Sequence, residues 1–173
     1  MNSIFKKIKE GFSLDYRSLA LFRIVLGSVL LWDLAIRSLD ITAHYTDNGV
    51  LPRITAIQTF RDTTDFCIHL MSGSLLGQSL IFIFHAAVIL AFILGYRTTI
   101  SSVLGWLLII SLHSRNELLQ HGGDHYLRIL SFWAMFLPLG KCLSIDSKKR
   151  NEPKHDFFSI VSIAFIFQMC AVY

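Results

Sequence analysis

Long apolar runs, separated by short polar stretches, are the main pattern along this chain of 173 residues. Apolar side chains dominate five runs of roughly 15 to 22 residues, at about 18–36, 75–96, 98–114, 124–140 and 157–173. A helix needs roughly 20 residues to cross the hydrocarbon core of a bilayer, so each run predicts a membrane-spanning helix. No repeat, low-complexity segment or linker interrupts the pattern. The chain is therefore predicted to form one all-α integral membrane domain over residues 1–173, with about five transmembrane helices.

Composition and charge support this class and predict an orientation. Hydrophobic residues make up 53% of the chain and charged residues 16%, whereas a soluble domain carries about 25% charged residues. The lysines precede the first run or lie between the fourth and fifth, and Arg97 lies between the second and third. Because basic residues concentrate on the cytoplasmic side, the N-terminus is predicted to be cytoplasmic and residues 113–125 to lie outside. The net charge of +4 therefore indicates a lipid bilayer as partner, not nucleic acid.

The two ends of the chain carry further predictions. Phe5, Ile8 and Phe12 share one helical stripe beside the first lysines, which favours a short helix on the inner membrane surface or, equally, a basic flank that only sets topology. No small-residue cleavage site follows the first run, so no signal peptide is predicted. The last run reaches Tyr173 without a flanking charge, and we expect the sequence to be the N-terminal part of a longer protein, with the domain incomplete at its C-terminus.

Charged side chains inside the first run are candidates for a site. Arg23 and Asp33 lie within it and Arg37 follows directly. Ionisable residues at membrane depth are costly and usually face the interior of a helix bundle or a watery cavity. A structural interpretation stays open, since Arg23 can extend to the inner surface and Asp33 can pair with Arg37 four residues later.

The stretch QHGGDHYLR at residues 120–128 is the most polar part of the apolar region. Counting about 20 residues from Lys141 and from Arg97 brings this turn to the outer edge of the hydrocarbon. Irregular backbone at that depth is tolerated only under protein or beside a watery cavity, so the turn predicts either a capped turn, held by Asp124 and Arg128, or an outward-opening pocket. The candidate polar residues for that pocket are Arg115, His121, Asp124, His125 and Arg128. His121 and His125 have no second cluster to complete a coordination shell, and no metal is predicted.

A family resemblance lies in two stretches, SLALFRIVLGSVLLWDLAIR at 18–37 and LGYRTTISSVLGWLLIISLHSRNELLQHGGDHYLRIL at 94–130, and in the final QMCAVY. Together they resemble the membrane domain of the vitamin K-dependent γ-carboxylase family and its bacterial relatives, the HTTM (horizontally transferred transmembrane) proteins. The resemblance implies a multi-pass protein of a bacterial inner membrane. It also implies a reduced, vitamin K-like quinone as cofactor, consumed with oxygen and carbon dioxide in a lyase-like carboxylation that forms the quinone epoxide.

Two departures from that family limit what the resemblance implies. Asp124 stands where the family has its catalytically important histidine, and His125 is one position further on. The family's lysine base lies a few residues beyond the position that matches Tyr173. The resemblance thus implies Asp124 and His125 as catalytic candidates. The ligand-binding candidates follow from polar side chains at the predicted membrane depth, and they are Arg23, Asp33, Arg37, Arg115, His121 and Arg128. A non-enzymatic membrane protein, acting in transport, lipid binding or assembly, remains the alternative, and the sequence leaves the choice open.

Overall fold

The computed structural model of the chain describes residues 12–59, 67–148 and 158–172. These residues form helices and no β-strand, which confirms the all-α class. The predicted surface helix near the N-terminus lies outside the described residues, apart from Phe12.

Five of the helices coincide with the five apolar runs. They are α1 (Tyr16–Leu39), α4 (Leu75–Leu94), α5 (Thr98–Arg115), α6 (Gly122–Ala134) and α8 (Ile160–Val172). Three shorter helices lie between them, namely α2 (Ile41–Tyr45), α3 (Arg53–Thr59) and α7 (Ile145–Lys148). Single 3₁₀ turns occur at Ile68–Leu70 and Glu117–Leu119.

Local sequence explains where the long helices begin and end. The Asp15 side chain accepts a hydrogen bond from the Arg17 amide at the start of α1, and the Ser74 hydroxyl accepts one from the Gly77 amide at the start of α4. Gly95 ends α4 with a φ of 68°, a left-handed conformation that glycine adopts at little cost.

Helix α6 is shorter than the apolar run that predicted it. The run continues to residue 140, whereas the helix ends at Ala134 after 13 residues. Pro138 explains the early end, since proline disfavours helical backbone in the residue before it and has no amide hydrogen to donate. At 1.5 Å per residue, α6 spans about 20 Å, which is less than the roughly 30 Å of a hydrocarbon core.

Two helices, α1 and α4, are long and apolar enough to cross a membrane. They pack against each other, α4 packs against α5, and α5 packs against α6. Gly27 lets α1 approach α4 closely, because a Cβ atom added there would collide with the side chain of Ile93. The core of the described residues lies between these helices and includes Leu26, Leu30, Ile89 and Ile109.

Helices α1 and α4 expose many large apolar side chains and bury some polar ones, a distribution that is unusual for a soluble protein. On α1, five exposed apolar residues form one stripe, at Leu21, Val25, Val29, Trp32 and Ile36. On α4, polar Gln78 and His85 are buried, whereas Leu76 and Ile83 are 74% and 66% exposed. Each of these helices therefore exposes an apolar face, and the polar side chains of Gln78 and His85 are buried in the bundle beside its apolar core.

Candidate ligand-binding site

The C-terminal end of α1 and the N-terminal end of α6 meet through two carboxylates that share one arginine. Arg37 Nε donates to both oxygens of Asp33, at 2.9 and 3.0 Å. Arg37 Nη2 donates to Asp124 Oδ1 at 2.8 Å. The Asp33–Arg37 contact is the one expected from a spacing of four on a helix, and the contact to Asp124 joins residues 87 apart in the chain. Arg37 thus ties the first apolar helix to the QHGGDHYLR turn.

Asp124 is held in place by the way α6 begins. His121 is the N-cap, and its Nδ1 accepts from the Gly123 amide at 3.0 Å. Asp124 Oδ2 accepts from the His121 amide at 3.1 Å, which completes a reciprocal capping box. The carboxylate is fully buried, while the His121 side chain is 70% exposed. One oxygen of Asp124 therefore stabilises the turn and the other faces Arg37.

His113, on α5, lies between the two carboxylates. Its Nε2 is 3.5 Å from Asp33 Oδ2 and 3.7 Å from Asp124 Oδ1. Arg128 Nε donates to His113 Nδ1 at 3.1 Å. An arginine only donates, so Nδ1 is the accepting nitrogen and the ring proton is on Nε2, directed toward the carboxylates. Arg128 thus selects the tautomer of His113.

Tyr45, at the end of α2, covers the same cluster. The residue is completely buried. Burial raises the pKa of its phenol, and the neighbouring Arg37 opposes that shift. Its hydroxyl has no hydrogen-bond partner among the residues that the structure describes. We use "the polar cluster" below for six residues, Asp33, Arg37, Tyr45, His113, Asp124 and Arg128.

Ligand atoms of Asp33, His113 and Asp124 lie within 4.8 Å of one another, a spacing that could hold a metal ion. The Arg37 guanidinium already lies on both carboxylates and supplies positive charge to them. The proton on His113 Nε2 also occupies the nitrogen that faces the carboxylates. These contacts favour a network of ion pairs over a metal centre.

An apolar groove adjoins the polar cluster. It has a volume of about 460 Å³ and is lined by Trp106, Ile110, Arg128, Ile129, Phe132, Trp133 and Gln168. The rings of Trp106 and Phe132 lie with their centroids 5.6 Å apart. Arg128 belongs to both places, since its Nε donates to His113 while its side chain lines the groove. Its Nη2 is buried and has no hydrogen-bond partner in the described part of the chain.

The structure brings some of the predicted site residues together. Asp33, Arg37, Asp124 and Arg128 are all in the polar cluster, and His121 borders it through its 3.7 Å approach to Asp124. The predicted contact between Asp124 and Arg128 is replaced by separate partners, Arg37 for the aspartate and His113 for the arginine.

Three predicted residues lie elsewhere. His125 is exposed, and none of the contacts within the polar cluster involves it. Arg115 is buried and donates to the carbonyls of Tyr45 and Leu51. Arg23 lies at the opposite end of α1, where its guanidinium donates to the carbonyls of Leu139, Cys142 and Leu143.

Neither His113 nor Tyr45 was identified as a site residue from the sequence. A sequence signal for His113 did exist, because His113 and Arg115 both lie in the last turn of α5, shortly before the QHGGDHYLR stretch. No comparable signal existed for Tyr45, which comes from a polar connecting segment.

Comparisons of the chain with protein families, with curated proteins and with solved structures each found no match.

Proposed function

We propose that this chain is a multi-pass membrane protein of the HTTM type, related to the membrane domain of vitamin K-dependent γ-carboxylase, and that it binds the ring of a quinone-like lipid. The ring of the ligand would lie in the apolar groove, and a carbonyl oxygen of that ring would accept a hydrogen bond from Arg128. The proposed location is a bacterial inner membrane, with about five spans and a cytoplasmic N-terminus.

The exposed surface of α1 and α4 supports the membrane part of the proposal. Long contiguous apolar patches are rare on soluble monomers and mark contact with lipid or with another protein. The stripe that runs from Leu21 to Ile36 extends along most of α1, while Arg23, Gln78 and His85 are buried inside. Lysines at both predicted inner segments support the orientation.

The observation that carries the ligand proposal is the double role of Arg128. Ligand pockets for small molecules are mostly apolar, of about 300–1,000 Å³, with a few polar groups that fix orientation. The groove has such a volume and lining, Arg128 is one of its lining residues, and the Nη2 donor of Arg128 has no hydrogen-bond partner among the described residues. A quinone carbonyl oxygen on Nη2 would satisfy that donor, which otherwise costs about 1–3 kcal/mol.

Neighbouring side chains would orient the Arg128 guanidinium. His113 Nδ1 accepts from Arg128 Nε, which orients the guanidinium, and the nearest oxygens of Asp33 and Asp124 lie 3.5 and 3.7 Å from His113 Nε2. Gln168 also lines the groove and offers a second polar side chain. A quinone-linked reaction, of oxidoreductase or carboxylase-like type, is the activity that we propose for such a site.

Binding of a short-tailed menaquinone to the full chain in detergent micelles tests the proposal. We expect saturable binding that Arg128→Gln weakens at least tenfold, since a hydrogen bond to a charged donor contributes about 1.5–3 kcal/mol. Arg17→Gln is the matched control, because Arg17 is exposed and its side chain lies outside the groove. Equal affinity for wild type and Arg128→Gln would contradict the assignment of the groove.

A second candidate function, a non-enzymatic role in transport or assembly, is favoured by one observation. The polar cluster contains two aspartates and two arginines, so its formal charges cancel, and both aspartates are already hydrogen-bonded to Arg37. Such a network can hold helices together without any ligand. If the chain binds no quinone while Asp124→Asn still lowers its thermal stability, this second function is the better account.

A further inference from the structure

A second cavity lies at the other ends of α5 and α6 from the polar cluster. It has a volume of about 540 Å³ and lies between the first residues of α5 and the segment that joins α6 to α7. Arg97 and Lys141 contribute basic side chains to its lining, and Thr99 contributes a hydroxyl. Ile100 and Leu137 contribute apolar surface. This cavity thus combines positive charge with apolar surface.

The fold holds the two basic residues at one level. Asp146 Oδ1 accepts from the Arg97 amide at 3.0 Å, and Asp146 Oδ2 accepts from the Thr98 amide and hydroxyl at 2.8 Å each. The backbone of Gly140 also lies close to α5, since a Cβ atom added there would be 2.6 Å from Thr98 Oγ1. The segment that carries Lys141 is therefore fixed against the start of α5, beside Arg97.

The charge of the lining favours an anionic ligand. Arg97 and Lys141 are exposed, and Asp146 is the acidic residue among the described residues that line the cavity. Two basic residues and one acidic residue give a formal charge of +1. Both oxygens of Asp146 also accept hydrogen bonds from the first residues of α5, which offset its negative charge. The cavity is therefore expected to attract an anion.

The apolar wall indicates what kind of anion fits. Arg97 and Lys141 mark the predicted inner edge of the hydrocarbon. Ile100 lines the cavity and is 52% exposed, and Leu104, one helical turn further along α5, is also exposed. A ligand with its anionic head at the two basic residues could extend an apolar chain along this face of α5, toward the centre of the bilayer. A free phosphate ion would leave the apolar surface without a contact.

We propose that this cavity binds the headgroup of an anionic phospholipid from the inner leaflet. The lipid phosphate would lie between Arg97 and Lys141, and one acyl chain would pack along Ile100 and Leu104. Basic pockets between membrane helices on the cytoplasmic side suit such headgroups. The inference rests on the membrane location proposed above and does not depend on quinone binding.

Native mass spectrometry of the full chain measures which lipid it retains. The chain is released from micelles that contain equal amounts of dioleoyl phosphatidylglycerol, which is anionic, and dioleoyl phosphatidylcholine, which has the same acyl chains and no net charge. We expect phosphatidylglycerol to be retained with at least about fivefold preference. Equal retention of the two lipids would overturn the proposal. Glycerol phosphate in large excess carries the same phosphate without acyl chains and is not expected to displace the lipid. Displacement would assign the cavity to soluble phosphate esters and overturn the lipid assignment.

Charge variants locate the bound lipid. Lys141→Gln and Arg97→Gln are each expected to weaken retention about fivefold, since one basic residue near an anionic surface contributes about 1 kcal/mol. Lys148→Gln is the matched control, because Lys148 is an exposed basic residue of neighbouring α7 that does not line the cavity. It is expected to keep the preference. Equal losses in Lys141→Gln and Lys148→Gln would indicate only general surface attraction and overturn the site.

A size variant tests the cavity itself. Thr99 is exposed and lines the cavity, so Thr99→Trp fills space without changing any charge. We expect it to lower phosphatidylglycerol retention as much as Lys141→Gln does. Should Arg97→Gln not fold, Lys141→Gln and Thr99→Trp decide, and unchanged retention in both would overturn the proposal.

The lipid site and the quinone site fail separately. Arg128→Gln is expected to keep the preference for phosphatidylglycerol, because Arg128 does not line this cavity. A chain that binds menaquinone with saturation but shows no preference for the anionic lipid would overturn this inference alone. A chain that binds neither lipid nor menaquinone would contradict both proposals.

Discussion

Replacing Asp124 with asparagine is expected to destabilise the chain far more than a change of one atom suggests. The carboxylate is completely buried and accepts from Arg37 Nη2 and from the His121 amide. Asparagine keeps the shape and the cap at His121 but removes the negative charge. The polar cluster then changes from two aspartates and two arginines to one aspartate and two arginines, so a positive charge is left without its partner.

The magnitude follows from burial. Removing one partner of a buried ion pair costs about 3–5 kcal/mol, a large share of the roughly 5–15 kcal/mol that stabilises a folded domain. Since 1 kcal/mol shifts Tm by about 2–4 °C at this chain length, Asp124→Asn is expected to lower Tm by about 10 °C. Adding Arg37→Met restores a neutral cluster, so the double variant should lose less than the sum of the single losses, by about 0.5–3 kcal/mol.

Thermal unfolding of four proteins in one detergent measures this coupling. They are the wild type, Asp124→Asn, Arg37→Met and the double variant. Asp40→Asn is the matched control, because Asp40 follows the same end of α1, is exposed and makes no side-chain capping bond. The control is expected to change Tm by no more than about 2 °C. Equal Tm values for Asp124→Asn and Asp40→Asn would refute the reasoning.

Three further predictions concern other parts of the fold. Burial lowers the pKa of His69 from 6.5 to about 3, so the imidazole stays neutral in the folded state. The free energy of unfolding is therefore highest above pH 6.5 and decreases as the pH falls from 6.5 toward 3, by about 2 kcal/mol at pH 5. His69→Gln should reduce this slope in unfolding experiments from pH 7 to 5, whereas exposed His125→Gln should keep it. Gly27→Leu should lower Tm, because the new side chain would push α1 away from α4. Gly105→Ala should leave Tm unchanged or raise it slightly, because the space around the new Cβ atom is open. Asp146→Ala should lower Tm by about 4 °C, because Asp146 accepts hydrogen bonds from the first amides of α5.

The helices could be predicted from the sequence because hydropathy over long runs is a strong signal. The run at 18–36 became Tyr16–Leu39 and the run at 98–114 became Thr98–Arg115. The end of α6 was wrong because apolar residues continue past Ala134, and the weight of Pro138 as a helix terminator was not considered. Apolar character alone does not distinguish a helix from an apolar turn.

The site was only partly predictable. Counting residues from Lys141 predicted that Asp124 and Arg128 lie near the same edge of the hydrocarbon, and their spacing of four puts both on one face of α6. The same rule turns His125 about 100° away from Asp124, in agreement with its exposure. The partners could not be inferred, because Arg37 and His113 reach α6 from two other helices, and their contacts depend on how those helices pack.

Tryptophan fluorescence quenching by a short-tailed menaquinone tests the central proposal most directly. The chain has three tryptophans, of which Trp106 and Trp133 line the groove and Trp32 is exposed on the apolar face of α1. In Trp32→Phe only the groove tryptophans report, and the quinone is expected to quench them with saturation, at a concentration that Arg128→Gln raises at least tenfold. In the variant with both groove tryptophans changed to phenylalanine, Trp32 should show only weak, linear quenching. Linear quenching of the groove tryptophans, indistinguishable from that of Trp32, would contradict a quinone site at Arg128.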